Sequence, residues 1–148
     1  MEVPGHSAGM ALSGDELKQL VRMALKEDVG PGDVTTQAIT SPKAQTKARM
    51  VAREPLTVAG LEMAELTFRE LSRAVSAVRH ATDGETVAAG RTLLEITGPT
   101  APILTAERVA LNFVQRLSGV ATLTSRYVAA IAGTQAQILD TRKTTPGL

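Results

Sequence analysis

The stretch "LDTRKTTPGL" at residues 139–148 crowds Thr141, Arg142, Lys143, Thr144 and Thr145 between an apolar pair, Ile138-Leu139, and a Pro-Gly turn signal. An arginine fork, a lysine point charge and threonine hydroxyls together can hold a carboxylate or a phosphate. At the C-terminal end of a barrel strand they would stand where (β/α) barrels keep their active sites. The same residues also suit a solvated C-terminal tail, and composition alone favours that reading. Arg108, in "TAERVALNFVQRLSG", sits among apolar neighbours, Val109, Ala110 and Leu111. The favoured reading is an exposed helical arginine beside Glu107. A sheltered one would need an anion partner, and Arg116 and Arg126 have similar surroundings, so the residues do not choose among the three. Asp28, Asp33, Thr35 and Thr36 in "EDVGPGDVTT" form either a ligand loop or a set of turn caps, and short polar side chains after glycine favour capping. His80 reads as a surface or half-buried strand residue. "DGETVAAG" at 83–90 is too short and wrongly spaced for a nucleotide-binding loop.

The bulk composition narrows the possibilities. A chain of 148 residues is long enough for one domain with a real core. With 2% aromatic residues, that core must be aliphatic. A net charge of +1 with so few rings argues against a nucleic-acid surface. Cysteine is absent, which removes disulfides, thiolate metal sites and a cysteine nucleophile. His6 and His80 have no partners at ligand spacing, so no metal site built from side chains is expected, although a carboxylate- or phosphate-held Mg²⁺ stays compatible. No apolar run is long enough to span a membrane, and residues 1–14 lack a signal peptide's apolar segment. The expected location is the cytoplasm.

Residues 1–12 read as a flexible leader. Ser13 and Glu16 have the spacing of a capping box, and Leu17, Leu20, Val21, Ala24 and Leu25 follow as one helical stripe that Gly30-Pro31-Gly32 ends. "GPGDVTT" reads as a loop. Alternation predicts a strand over 46–53, and Leu61, Ala64, Phe68 and Leu71 predict a helix over 61–71. Strands are expected near 75–80 and 92–97, with a turn-strand-turn segment over 83–90. From Thr100 a long helix is expected, carrying Ile103, Ala106, Ala110, Phe113 and Leu117 and interrupted at Ser118-Gly119. A second helical stretch follows to Gly133, and then a fresh strand over 136–140. A parallel strand needs neighbours and covered faces, so its position predicts a truncated chain or completion by another one.

The motifs "ALKEDVGPGDVTT", "VAREPLTVAG", "ATDGETVAAGRTLLEITGP", "LTAERVALNFVQRLSGVATLT" and "ILDTRKTTPGL", in that order, closely resemble quinolinate phosphoribosyltransferase from about Leu17 to Leu148. The resemblance implies an α+β N-terminal domain (13–114) followed by the first helix-strand portion (115–148) of an incomplete, truncated (β/α) barrel. It implies a homodimer whose sites are shared between subunits. The reaction implied joins quinolinate to phosphoribosyl pyrophosphate, with Mg²⁺, and gives nicotinate mononucleotide, pyrophosphate and CO₂, a step of NAD biosynthesis. Arg108 matches the family arginine that binds a quinolinate carboxylate in the neighbouring subunit's site. Thr141, Arg142 and Lys143 match the strand-end cluster that contacts quinolinate and the phosphoribosyl donor. No residue is assigned as acid, base or metal ligand. The family's remaining barrel residues are not in this sequence, so the 148-residue chain is expected to be inactive alone.

Three rivals share parts of this pattern. A molybdenum-transport-associated paralogue has the same fold and the TRKT segment, and a non-catalytic dimerisation fragment would use the same elements. A lipoyl-type carrier would need an exposed hairpin lysine, and no lysine lies between Lys47 and Lys143.

Overall fold

The computed structural model describes residues 12–139, 141 and 143, with the backbone alone at Gln37. The expected leader lies outside the described residues except for Leu12.

Helix α1 spans Gly14–Val29 and starts as its sequence dictates. Ser13 Oγ accepts the Glu16 N–H at 3.3 Å, and Glu16 Oε2 accepts the Ser13 N–H at 2.7 Å. Those bonds, the backbone one first, hold the Glu16 carboxyl below its ordinary pKa. Val21 and Leu25 are buried with Met63 and Val109, while Leu17, Leu20 and Ala24 pack around them. The next stretch differs from the expected loop: α2 spans Val34–Ile39. Its six residues include exposed Val34 and Ile39, so no apolar stripe announces it. Asp33 makes it a helix by accepting the Thr36 N–H at 2.9 Å.

A three-stranded antiparallel sheet is formed by β1 (Gln45–Val51), β3 (Ser76–Arg79) and β5 (Thr92–Pro99), in the order β1-β5-β3. Central β5 is buried on both faces at Leu93, Leu94 and Ile96, and Met50 from β1 adds to the same core. Residues 83–90 contain the expected short strand, β4 (Thr86–Val87), but its partner β2 (Leu56–Thr57) was not legible. Two residues are too few to show a period.

Helix α3, Leu61–Leu71, buries Leu61, Ala64 and Phe68 against the sheet. Its first N–H groups have no local side-chain cap. Asp83, 22 residues on, accepts the Gly60 N–H at 2.9 Å and the Leu61 N–H at 3.1 Å. Gly60 has φ 92°, and a Cβ there would stand 2.8 Å from Leu117 Cδ1. The left-handed backbone favours glycine here, and a side chain would also displace the tip of Leu117.

That helix, α4, runs unbroken from Thr100 to Ala130. The expected interruption at Ser118-Gly119 does not occur. Ser118 is buried, and its hydroxyl accepts the Ala59 N–H at 3.0 Å and donates to the Ala59 carbonyl at 3.2 Å. Thr122 Oγ1 accepts the Thr57 N–H at 2.9 Å, and Thr57 Oγ1 donates to Ser125 Oγ at 3.1 Å. Positions 118, 122 and 125 share one helical face. Their hydroxyls bond the backbone at Thr57 and Ala59 and the Thr57 side chain, so the small polar residues clamp the helix rather than end it. Gly119 faces open space.

The strand expected over 136–140 is absent at 136–139, which are exposed and without regular structure; Asp140 lies outside the described residues. A strand exists through hydrogen bonds to a neighbour. No described strand lies beside this segment.

Candidate functional site

Arg108 sits on the N-terminal half of α4. Ile103, Ala106, Val109 and Ala110 bury the other side of that helix, which turns Arg108 outward. The arginine side chain is 75% exposed, the exposed helical position favoured for it in sequence; the shelter hinted at by its apolar neighbours is not observed. The anion partner is real: Nη1 lies 3.1 Å from Asp28 Oδ1. The two residues are 80 positions apart, so the pair was not readable from either motif alone. The only sequence signal was that both lay in stretches singled out for chemistry.

The last turn of α1 carries Asp28 to α4. Gly30 at φ 53° and Gly32 at φ 143° reverse the chain, and the Gly32 N–H bonds to the Val29 carbonyl at 3.1 Å. Asp33 then caps α2 and also receives the Thr105 hydroxyl at 3.2 Å, one helical turn before Arg108. The Thr36 hydroxyl and N–H, with smaller contributions from Thr105 and the Arg108 charge, hold the Asp33 carboxyl below its ordinary pKa. The capping reading of this segment therefore stands for Asp33, whereas Asp28 is engaged with the arginine.

Beside Arg108 an open groove of about 500 Å³ runs between α1 and α4. Leu20, Ala24, Val109, Phe113 and Leu117 form its apolar wall, and Glu27, Asp28, Asn112 and Arg116 its polar rim. Arg126 projects from the exposed C-terminal half of α4. His80 is exposed; its N–H bonds to the Leu93 carbonyl at 2.9 Å, and its carbonyl accepts from Arg91 Nη2 at 2.6 Å. It is engaged through its backbone in sheet closure.

Thr141 and Lys143 are joined, the Lys143 N–H reaching Thr141 Oγ1 at 3.1 Å. Arg142 lies outside the described residues. From Arg108 to the C-terminus of α4 is about 33 Å of helix, and Thr141 and Lys143 lie beyond that terminus in sequence.

The expected Mg²⁺ finds no cage here. Among the described residues no three carboxylates or imidazoles converge. Of the carboxylates here, Asp28 is engaged by Arg108 and Asp33 by Thr36 and Thr105. Among the described residues no helix is long and apolar enough to cross a membrane.

Comparison with known proteins agrees with this architecture along the chain. The family described as "Quinolinate phosphoribosyl transferase, N-terminal domain" matches residues 33–118, and its C-terminal domain matches residues 120–148. The chain is 40% identical over 133 residues to a probable nicotinate-nucleotide pyrophosphorylase [carboxylating] of Bacillus subtilis (strain 168), covering 90% of this chain and 46% of that protein. It is 40% identical over 134 residues to quinolinate phosphoribosyltransferase [decarboxylating] 2b, mitochondrial, of Nicotiana tabacum, covering 90% of this chain and 38% of the relative. The solved nicotinate-nucleotide pyrophosphorylase of Francisella tularensis superposes with a TM-score of 0.87 at 36% identity, covering 93% of this chain and 49% of that one. The chain thus spans less than half the length of each of these three. It belongs to the quinolinate phosphoribosyltransferase family, contributing the α+β N-terminal domain and a short start of the C-terminal barrel domain.

Proposed function

We propose that this chain supplies the N-terminal part of a quinolinate phosphoribosyltransferase site in a homodimer. The observation that carries the reading is Arg108: it projects from α4 with its side chain 75% exposed and one nitrogen paired to Asp28, in a region matched to the family. A guanidinium so placed can take a carboxylate of quinolinate bound in a neighbouring subunit. Thr141, Arg142 and Lys143 would contact quinolinate and the phosphoribosyl donor. The names of the curated relatives favour this reading over the molybdenum-associated paralogue.

The chemistry accounts for the residue types. The substrates bring two carboxylates, a phosphate and a pyrophosphate into one pocket. Pyrophosphate leaves C1 of the ribose with the bonding electrons, and the ring nitrogen of quinolinate forms the new bond to that carbon. Fixed cations hold the leaving group and the dicarboxylate in line and stabilise the charge that develops. The adjacent carboxylate then departs as CO₂, the electron pair left on the ring is stabilised by the cationic nitrogen, and a proton replaces it. No protein nucleophile is required. Mg²⁺, brought by the phosphoribosyl donor, would neutralise pyrophosphate charge.

The 148-residue polypeptide by itself is expected to show no turnover, since it spans less than half of each relative compared. The cytoplasm is the compartment proposed; recovery of a tagged chain with an organelle fraction would overturn that. Two assays test the function. In the first, pyrophosphate release from quinolinate and phosphoribosyl pyrophosphate is measured with the purified chain, and clear turnover would refute inactivity. In the second, the chain is mixed with the Bacillus subtilis relative in which the arginine matching Arg108 is replaced by alanine. The wild-type chain is expected to restore turnover and the Arg108→Ala chain is not; equal restoration by both would remove Arg108 from the site.

A further inference from the structure

The segment Asp28–Asp33 is assigned no part in the reaction above, yet it touches α4 at two points within one helical turn. Asp33 receives the Thr105 hydroxyl at 3.2 Å, and Asp28 meets Arg108 at 3.1 Å. Between them the Gly30-Pro31-Gly32 turn closes with a 3.1 Å hydrogen bond from the Gly32 N–H to the Val29 carbonyl. The carboxylate side is therefore anchored at both ends, by the last turn of α1 and by the cap of α2. The two members of the ion pair also differ in exposure. Asp28's side chain is 23% exposed and Arg108's is 75%. Asp28 engages one terminal nitrogen, Nη1. A guanidinium has five N–H donors in a fixed fork, so an edge is left to project from the helix.

We propose that Asp28 is a positioning residue for Arg108: it holds one nitrogen of the guanidinium so that the opposite edge is presented, already ordered, to a carboxylate of the substrate. The inference rests on Arg108 being a substrate-binding group, as proposed above. An unheld arginine would lose rotamer freedom on binding, a cost that prior ordering reduces. The alternative is an exposed ion pair that orders nothing, which is common for surface pairs.

The side-chain Nε–Hε signal of Arg108, identified by its loss in Arg108→Lys, distinguishes the two in the chain as it exists. In Asp28→Asn, which keeps the shape and removes the charge, the order parameter of that signal is expected to fall to that of Arg126. In Asp28→Glu it should recover in part, while backbone signals of α4 stay in place in both variants. An unchanged Arg108 order parameter in Asp28→Asn would overturn the proposal. Should Asp28→Asn fail to fold, an Arg108 signal in wild type already as mobile as that of Arg126 would overturn it equally.

The mixed assay supplies the functional measurement. With the Asp28→Asn chain, KM for quinolinate is expected to rise about threefold with kcat unchanged, the signature of lost ground-state binding. If Arg108→Ala abolishes restoration but Asp28→Asn matches wild type in KM, the positioning inference falls and the reading of Arg108 survives. If Arg108→Ala restores turnover as well as wild type, or the wild-type chain restores none, the reading itself fails.

Discussion

The two halves of α4 belong to one continuous helix and meet different surroundings. From Ile103 to Ser118 it is packed into the domain: Ile103, Ala106, Val109, Ala110 and Val114 are buried against the sheet, α1 and α3. From Val120 onward the apolar residues turn to solvent, with Val120, Leu123, Tyr127 and Val128 all more than half exposed. Both halves look equally apolar as sequence. The difference lies in what surrounds each, and it separates residues that hold this chain together from residues that do not. The hydroxyl clamp at Ser118, Thr122 and Ser125 marks the changeover, because it is the last tertiary anchor before the helix runs free of the sheet.

The contrast is most strongly tested in the packed half and the core it covers. Leu94, fully buried on central β5, should cost about 2–5 kcal/mol when replaced by alanine. Chemical denaturation measures this, and a cost no larger than that of Leu123→Ala would break the comparison. At the changeover, Thr122→Val and Ser118→Ala each leave an edge N–H of the β2 segment without its acceptor. Each is expected to cost about 1–3 kcal/mol, with faster amide exchange at Thr57 and Ala59 respectively. Retained protection would mean that the clamp is incidental.

Acid offers a milder probe of the packed side. Asp33's carboxyl is held low chiefly by its Thr36 hydrogen bonds. Its stabilising contribution is therefore complete above the unfolded aspartate value of about 3.9 and is lost as pH falls through the lower folded value. Lowering the pH through this range should fray α2 and free Thr105 while the β1–β5 pairing persists, read as loss of protection at the Thr36 amide. Protection that survives full protonation of Asp33 would show that the cap is dispensable. The smallest effect is expected in the exposed half. Leu123→Ser and Tyr127→Ser should each change stability by no more than about 0.5 kcal/mol in this chain, and a larger loss would mean that this face is covered in solution.

Several elements are legible in the sequence because their signals are local. The Ser13–Glu16 capping box and its stripe define α1, and the three- and four-residue spacing of Leu61, Ala64, Phe68 and Leu71 gives α3 its observed bounds. Alternation around Met50 locates β1. The errors have a common cause. Helix α2 depends on one capping carboxylate, β2 on a neighbour 29 residues away, and the continuity of α4 on hydroxyls bonded 59 to 68 residues upstream. The strand expected at 136–140 rests on an apolar run that is there, yet a run becomes a strand only beside another strand. Among the site residues, Arg108 stands out for apolar neighbours that prove to face away from it.

Sequence by itself determined the periodic elements, the aliphatic core and the family, because these rest on spacing within a few residues and on motifs that keep their order. Tertiary structure alone decided that Asp28 stands beside Arg108, that Asp83 caps α3 from a distant turn, and that Ser118 continues a helix it was expected to end. Each of these is a polar group satisfied by a partner far along the chain, and no local pattern encodes which partner the fold will bring.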